Sequence, residues 1–216
     1  MRVAIALVVI GITLLWCPFL NAQPWSGKGA VQFDIGIAHT FHYQHPVMIN
    51  FCEDGCYPVE QEPRIGKSID VGYYHMLGQR NEVRLGIGFC EYRFAEKGMA
   101  SPGDADLLPY QVIVDLNYMT LFAGHRLRLS RQDRKVIPMI ENDFYVDLFP
   151  PGDHVLKSAN FAVKTKLGVF ISLEDNLNLV LNGFFKSAIA RYNRHESTGD
   201  YFPYAYGIEI GLKVGF

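Results

Sequence analysis

The chain has 216 residues, of which 49% are hydrophobic, and a formal net charge of −2 from 20 Lys and Arg against 22 Asp and Glu. This length fits one domain and a targeting segment, and the near-neutral charge without a basic block excludes nucleic acid as a partner. A helical membrane protein needs about 20 consecutive apolar residues for each span. That pattern occurs only at the N-terminus.

Residues 1–22 have the pattern of a secretory signal peptide, which would leave residues 23–216 as the mature chain. Arg2 supplies the positive start, Val3 to Leu15 form the apolar stretch, and Leu20-Asn21-Ala22 form a cleavage site before Gln23. An uncleaved membrane anchor is the alternative, but Pro18 and the missing basic flank argue against it. We therefore expect the chain to be exported.

The cysteines agree with export without proving it. Cys52 and Cys56 flank a turn-like Glu-Asp-Gly tripeptide, and in an oxidising compartment they could close a small disulfide ring. Two free thiols are the alternative, whereas a zinc site would need more ligands nearby. Cys90 has no obvious partner in the sequence, and we expect it to be a small buried residue.

From Ala30 onward, large apolar side chains alternate with glycine, small or charged residues. This period of two is typical of β-strands that lie between two different environments. The apolar positions of the first three segments are Val31, Phe33, Ile35, Ile37 and Phe41, then Ile69, Val71, Tyr73 and Leu77, then Val83, Leu85, Ile87 and Phe89.

The next two segments are less regular. Between Val112 and Leu129 the apolar parity changes near Met119, which predicts a β-bulge there because one extra residue turns all later side chains to the other face. Between Val136 and Phe149 the apolar set includes Asn142 and Pro138. Because proline cannot donate to the ladder, Pro138 should lie at a strand end or at a bulge.

The last three segments bring the number of predicted strands to eight. Their apolar positions are Phe161, Val163, Leu167, Val169, Ile171 and Leu173, then Leu177, Leu179 and Leu181, then Tyr204, Tyr206, Ile208, Ile210, Leu212, Val214 and Phe216. The links alternate between short ones, at Gly78–Asn81, Ser130–Lys135 and Glu174–Asn176, and long ones, at Gln44–Arg64, Ala95–Pro109, Pro150–Ala159 and Asn193–Pro203. An up-and-down transmembrane barrel has this arrangement.

Side-chain size indicates which face points outward. A lipocalin also has eight antiparallel strands, but its interior is apolar. Here the glycines lie on the polar faces, and the Phe, Tyr, Ile and Leu side chains are too bulky to share one narrow lumen. We therefore predict an all-β, eight-stranded antiparallel transmembrane barrel with its bulky face toward lipid.

Aromatic residues beside the long links should form an interfacial girdle: Tyr43, Tyr92, Phe94, Tyr110, Phe149, Phe161, Tyr192, Tyr201 and Tyr204. The outward cations Lys67 and Arg191 should lie near the outer ends.

The final strand, which ends in the terminal Phe216, is similar to that of the small OmpA/OmpX-type outer-membrane β-barrels. Phe33-Asp34-Ile35-Gly36 and Leu85-Gly86-Ile87-Gly88-Phe89 resemble segments of porin-like members of that group. The resemblance covers the chain from about Ala30 to its end. It implies the outer membrane of a Gram-negative bacterium as the location, membrane lipid as a partner, and recognition of the final strand by the barrel-assembly machinery. We expect a monomer.

Charged residues should line the lumen. By parity the inward acids are Asp34, Asp70, Glu82, Glu141, Asp143, Asp147 and Glu209, and the inward bases are Arg84, Lys164, Lys166, Lys186 and Lys213. Glu141 and Asp143 lie on the strand next to Lys164 and Lys166, which predicts direct pairing. Because buried charges are costly unless they are paired, this set indicates a salt-bridged core without an open pore. A gated ion path is the functional alternative.

We assign no residue to catalysis, to a cofactor or to a metal. His39, His42 and His45 are spaced by three, which on a strand places neighbours on opposite faces. His125 and Ser130 are the best candidates for a lipid-modifying enzyme, but their spacing of five also separates them unless a bulge intervenes.

The expected role is structural or one of surface interaction, with no enzymatic activity. The long links offer contact sites for an extracellular ligand: one carries Glu53, Asp54, Glu60 and Glu62, and another carries Tyr201 and Phe202. Two alternatives remain open, namely a soluble secreted lipocalin-like binding protein and an outer-membrane lipid-modifying enzyme.

Overall fold

The computed structural model describes residues 29–44, 60–100, 108–130, 135–148, 159–190 and 201–216. They form the strands β1 (Gly29–Gln44), β2 (Glu60–Met76), β3 (Asn81–Ala100), β4 (Leu108–Arg128), β5 (Val136–Leu148), β6 (Ala159–Glu174), β7 (Leu177–Ala188) and β8 (Tyr201–Gly215). Each strand pairs antiparallel with the next, and β1 pairs with β8, which closes the barrel. The predicted eight-stranded up-and-down topology is confirmed for this part of the chain.

The two faces of the barrel have the predicted composition. Large apolar side chains point outward and are exposed, for example Ile35 at 53%, Leu85 at 63% and Leu167 at 62%. The alternate positions, such as Asp34 on β1, are buried in the lumen. No helix in the described residues is long and apolar enough to span a membrane.

The barrel has two distinct ends. The turn end carries the links 77–80 and 175–176. The first residue of β1 and the last residues of β8 also meet there, and the Phe216 amide donates to the Gly29 carbonyl at 2.9 Å. The opposite end, which we call the loop end, carries the links that lie largely outside the described residues. The sequence placed these links at Gln44–Arg64 and Ala95–Pro109, but the strands extend further, because β2 begins at Glu60 and β3 ends at Ala100.

The prediction of a β-bulge in β4 is wrong. β4 pairs with β3 from Leu108 to Leu127 without a register shift, so Leu116 and Tyr118 face the lumen while Met119 and Leu121 face outward. The parity seemed to change because the outward face of β4 becomes polar toward the loop end, at Asn117 and Asp115, while the inward face stays apolar. Register shifts lie instead between β2 and β3, at residues 63–68, and between β6 and β7, at residues 172–174.

The outward face therefore changes from apolar to polar at one level of β3 and β4. Phe89 pairs with Met119, but one step toward the loop end Glu91 pairs with Asn117. Beyond that step the outward Arg93 and Asp115 form an exposed ion pair at 2.9 Å. We call the band of outward apolar side chains the apolar belt, and this level is its upper edge, the one toward the loop end.

Part of the predicted aromatic girdle is confirmed and part is wrong. Phe161 is exposed on the outward face, and Tyr204 stacks on Phe41 at 5.1 Å between ring centroids. Tyr92 and Phe94 are instead buried in the lumen, because the inward parity of β3 continues above the belt. Lys67 is exposed on the outward face as predicted. The remaining predictions concern side chains outside the described set: Tyr43, Tyr110, Phe149, Arg191, Tyr192 and Tyr201.

Candidate functional site

All eight strands contribute charged side chains to the lumen. Every inward acid and base predicted from the parity is buried: Asp34, Asp70, Glu82, Glu141, Asp143, Asp147, Glu209, Arg84, Lys164, Lys166, Lys186 and Lys213. Arg126 on β4 joins them and is fully buried. Because acids and bases are nearly balanced, the charges can be compensated inside the barrel rather than by water.

Glu141 on β5 lies at the centre of this network. Arg84 and Arg126 each donate a hydrogen bond to its carboxylate, and Lys166 Nζ lies 3.1 Å from Glu141 Oε1. The two guanidinium groups also donate to the Tyr74 hydroxyl, at 2.7 and 2.6 Å. Charge-assisted hydrogen bonds of this kind compensate for the loss of hydration at a buried ion.

A second group extends the network across the barrel from β6 to β8 and β2. Lys166 Nζ lies 2.9 Å from Glu209 Oε2, and Lys164 donates to Glu209. Lys164 also donates to Asp70 at 3.2 Å, and the Tyr145 hydroxyl donates to Asp70 at 2.8 Å. These contacts join strands that are not neighbours in the sheet.

The predicted pairing between β5 and β6 is confirmed for Lys166, which contacts Glu141 and lies 3.9 Å from Asp143. Lys164 is directly opposite Asp143 in the ladder, but it pairs with Asp70 and Glu209 across the lumen. Asp143 is therefore held by charge alone: Arg84 lies at 3.5 Å, and among the described residues neither carboxylate oxygen has a hydrogen-bond partner.

Separate ion pairs occupy the two ends. At the turn end, Lys213 donates to both oxygens of Glu82 at 2.7 Å, and Arg128 donates to the same carboxylate. These residues line an open vestibule of about 430 Å³. At the loop end, Lys186 donates to Asp147 at 2.8 Å. Buried ion pairs are thus present at both ends of the barrel as well as at its centre.

Aromatic rings share the lumen with these charges, which the size argument from the sequence did not predict. The Arg84 guanidinium lies 4.0 Å from the Phe122 ring centroid, and the Arg126 guanidinium lies 4.1 Å from that of Tyr74 and 4.7 Å from that of Phe170. Toward the loop end, a cluster contains Tyr92, Tyr118, Phe184, Ala188 and Ala205. Cation–π contact stabilises charge and ring together where water is absent. The argument that Phe and Tyr side chains are too bulky to share the lumen is therefore wrong for these rings, although the outward faces are apolar as predicted.

Glycines make room for these rings. A Cβ on Gly86 would collide with the ring of Phe122 and with the Val71 carbonyl, and one on Gly72 would lie 3.3 Å from the same ring. Gly86 and Gly72 are directly opposite each other on β3 and β2. The glycines on the polar faces thus compensate for the large rings packed in the same lumen.

We expect Gly86→Val to lower the free energy of unfolding by about 1–3 kcal/mol, because Phe122 and the Arg84 stacked on it must shift. The matched control is Gly183→Val. Gly183 faces outward, and its nearest neighbour would lie 3.9 Å from an added Cβ. Urea unfolding in detergent, followed by the shift in gel migration between folded and unfolded barrels, measures both variants. Equal losses would contradict the packing described here.

The structure does not bring the candidate catalytic or metal residues together. His39 is exposed on the outward face beside Tyr206, while the His42 side chain and His45 lie outside the described set. The described residues contain no cluster of potential metal ligands. His125 Nε2 lies 3.1 Å from Asn81 Oδ1 rather than near Ser130, whose Oγ has no partner among the described residues. Since β4 has no bulge, nothing brings His125 and Ser130 to one face.

Cys90 is a free, half-buried thiol against the aromatic cluster. Cys90 was predicted to be buried, and it is less buried than expected. Cys52 and Cys56 lie outside the described residues, and their pairing stays a prediction.

Neisserial surface protein A is similar to this chain in structure, with a TM-score of 0.51 over 87% of this chain and 97% of that one, at 14% identity. The chain has the fold of a small transmembrane β-barrel. OprG from Pseudomonas aeruginosa also matches, at 9% identity and a TM-score of 0.49 over 88% of this chain and 96% of that one. The outer-membrane protein AlkL matches at 13% identity and a TM-score of 0.48 over 91% of this chain and 93% of that one. At these identities the likeness concerns the fold of the barrel. No protein-family model and no curated protein matches the sequence.

Proposed function

We propose that this chain is an outer-membrane protein whose sealed barrel is a rigid scaffold for surface loops, with a structural or surface-interaction role and no catalytic activity. The observation that carries the proposal is the set of buried ion pairs and aromatic rings that lie in the lumen, where an open pore would have to run. The turn end then faces the periplasm and the loop end faces the exterior.

The outward face supports the membrane location. A strand of ~11 residues that rises about 3.3 Å per residue and is tilted by about 40° covers roughly 28 Å along the membrane normal, close to the apolar band of such barrels at about 25 Å. Exposing Leu85, Ile87 and Phe89 to water would cost about 1.5–3 kcal/mol each, which lipid removes. The expected signal peptide agrees with export.

The same face weakens the soluble alternative. A lipocalin-like protein would place its apolar side chains in the interior, whereas here the interior contains the charges. For the enzyme alternative, the described residues place Asn81 rather than a nucleophile beside His125 Nε2. The exposed Phe216, at 71%, supports recognition of the final strand by the barrel-assembly machinery as a further part of the proposal.

Planar-bilayer recording tests the sealed lumen. We expect the reconstituted protein to give no ion current above background, because buried ion pairs and rings lie across the lumen. A large porin in the same bilayers serves as the positive control. Fractionation of expressing cells first checks the location, and the folded protein should show heat-modifiable migration in the outer-membrane fraction. Stable single-channel steps would contradict the sealed barrel, and release of the protein by osmotic shock would contradict the location.

A further inference from the structure

A row of polar side chains crosses the lipid-facing surface of the barrel. His125 on β4 is directly opposite Asn142 on β5, and Asn142 is directly opposite Thr165 on β6. All three share the outward parity of their strands, and each is half-buried among its neighbours. His125 also contacts Asn81 toward the turn end, at 3.1 Å. We call His125, Asn142 and Thr165 the polar row.

The polar row lies within the apolar belt rather than at its edge. On β5 the outward neighbours of Asn142 are Ile140 and Phe144, and on β6 those of Thr165 are Val163 and Leu167. His125 has Ala123 and Leu127 as its outward neighbours. At this depth neither water nor a lipid headgroup is available as a hydrogen-bond partner.

The row satisfies only part of its own hydrogen-bonding capacity. Thr165 Oγ1 donates to Asn142 Oδ1 at 2.9 Å. This bond uses the hydroxyl proton and one acceptor site of the amide. The amide nitrogen of Asn142 carries two N–H donors, and among the described residues neither has a partner. An unsatisfied donor in hydrocarbon is costly, and a second protein surface would remove that cost.

We propose that a second copy of this chain packs against the polar row, with the Asn142 amides of the two copies bonded across a two-fold axis. A side-chain amide contains both donor and acceptor and is therefore complementary to itself. Acyl chains offer neither group, which argues against lipid as the occupant. The small outward residue Ala123, next to His125 on the outward face of β4, permits close approach of a second backbone.

On the opposite wall of the barrel, the described outward positions are mainly apolar, with His39 toward the loop end as an exception. Its outward positions on β1 and β8 include Val31, Phe33, Ile35, Ile208 and Ile210, all exposed and apolar. The two-fold contact is therefore confined to β4–β6. This inference rests on the membrane location proposed above, and it replaces the monomer expected from the sequence.

Sedimentation equilibrium of the purified protein in detergent micelles tests the proposal. We expect a reversible dimer of the wild type and a dissociation constant raised about tenfold or more in the double variant Asn142→Leu/Thr165→Val. Both substitutions replace polar groups with apolar ones on a lipid-facing surface, so the variant should fold, which its heat-modifiable migration verifies. The matched control Ser187→Val removes an outward hydroxyl on β7 outside the row and should leave the equilibrium unchanged.

Disulfide trapping in lipid vesicles gives an independent measurement. With Cys52, Cys56 and Cys90 changed to serine, Ala123→Cys should form a covalent dimer on oxidation, whereas Ile35→Cys on the opposite wall should not. A wild type that is monomeric at every concentration, with or without bound lipid, would overturn the proposal, as would a dimer that the double variant leaves intact. Vesicle flotation separates the two levels of inference: a chain that does not enter lipid contradicts the membrane location, and one that enters as a monomer contradicts only the dimer.

Discussion

Glu141→Gln should lower the free energy of unfolding by about 3–5 kcal/mol, the largest loss we expect from one substitution in this protein. The change keeps the shape of the side chain but removes its charge. Arg84, Arg126 and Lys166, which converge on this carboxylate, would then be buried cations without their common partner. Urea titration of the folded protein in detergent, followed by far-UV circular dichroism, measures the loss.

The matched control is Asp115→Asn, which removes the charge from an exposed ion pair with Arg93, where the side chains are 41% and 40% exposed. Surface pairs of this kind contribute about 0–1 kcal/mol. The prediction therefore depends on the difference between the two variants. Losses of similar size at both positions would show that water reaches Glu141, and the sealed lumen would have to be abandoned.

Leu121→Arg should lower the free energy of unfolding by about 2–4 kcal/mol, the cost of a cation near the middle of the lipid-facing belt of such a barrel. Leu121 is 46% exposed on β4 and lies between Ile87 and Val146 of the neighbouring strands. Its side chain therefore has only apolar neighbours at its level. Unfolding in phospholipid vesicles is the appropriate measurement, because detergent micelles adapt more easily to a charge.

Asn117→Arg is the control on the same strand and the same face. Asn117 lies above the upper edge of the belt, directly opposite Glu91, so the new cation remains at the polar interface. The expected cost there is about 0–1 kcal/mol. If arginine is tolerated equally at both positions, the outward face does not meet acyl chains, and the soluble alternative returns.

Strand number, strand direction and the facing of most side chains could be predicted from the sequence. Because alternate residues of a strand face opposite sides of the sheet, each strand can present its apolar set only inward or outward. Parity alone therefore assigns Phe33 and Ile69 to one face and Asp34 and Asp70 to the other. The same rule failed in β4, where a change in the outside medium at Asn117 resembled a bulge in the chain. It also failed for Tyr92 and Phe94, whose nearness to a long link suggested a girdle although their parity pointed inward.

The candidate site could be predicted only as a set of buried charges. Parity indicates that Lys164 faces the lumen, but not that it pairs with Asp70 and Glu209 rather than with Asp143 directly opposite it. Ion pairs across a lumen depend on the radius of the barrel and on the stagger of its strands, and these are properties of the closed sheet. The polar row likewise became visible only when the register placed Asn142 between His125 and Thr165.

By itself the sequence determined a period-two chain with one bulky apolar face and one face of glycines and ions, because that pattern is local and each strand carries it independently. Only the tertiary structure decided which charges meet, which rings share the lumen with them, and which glycine stands beside which ring. The physical reason is that these contacts join residues far apart in the chain, and only closure of β1 onto β8 sets the distances between them.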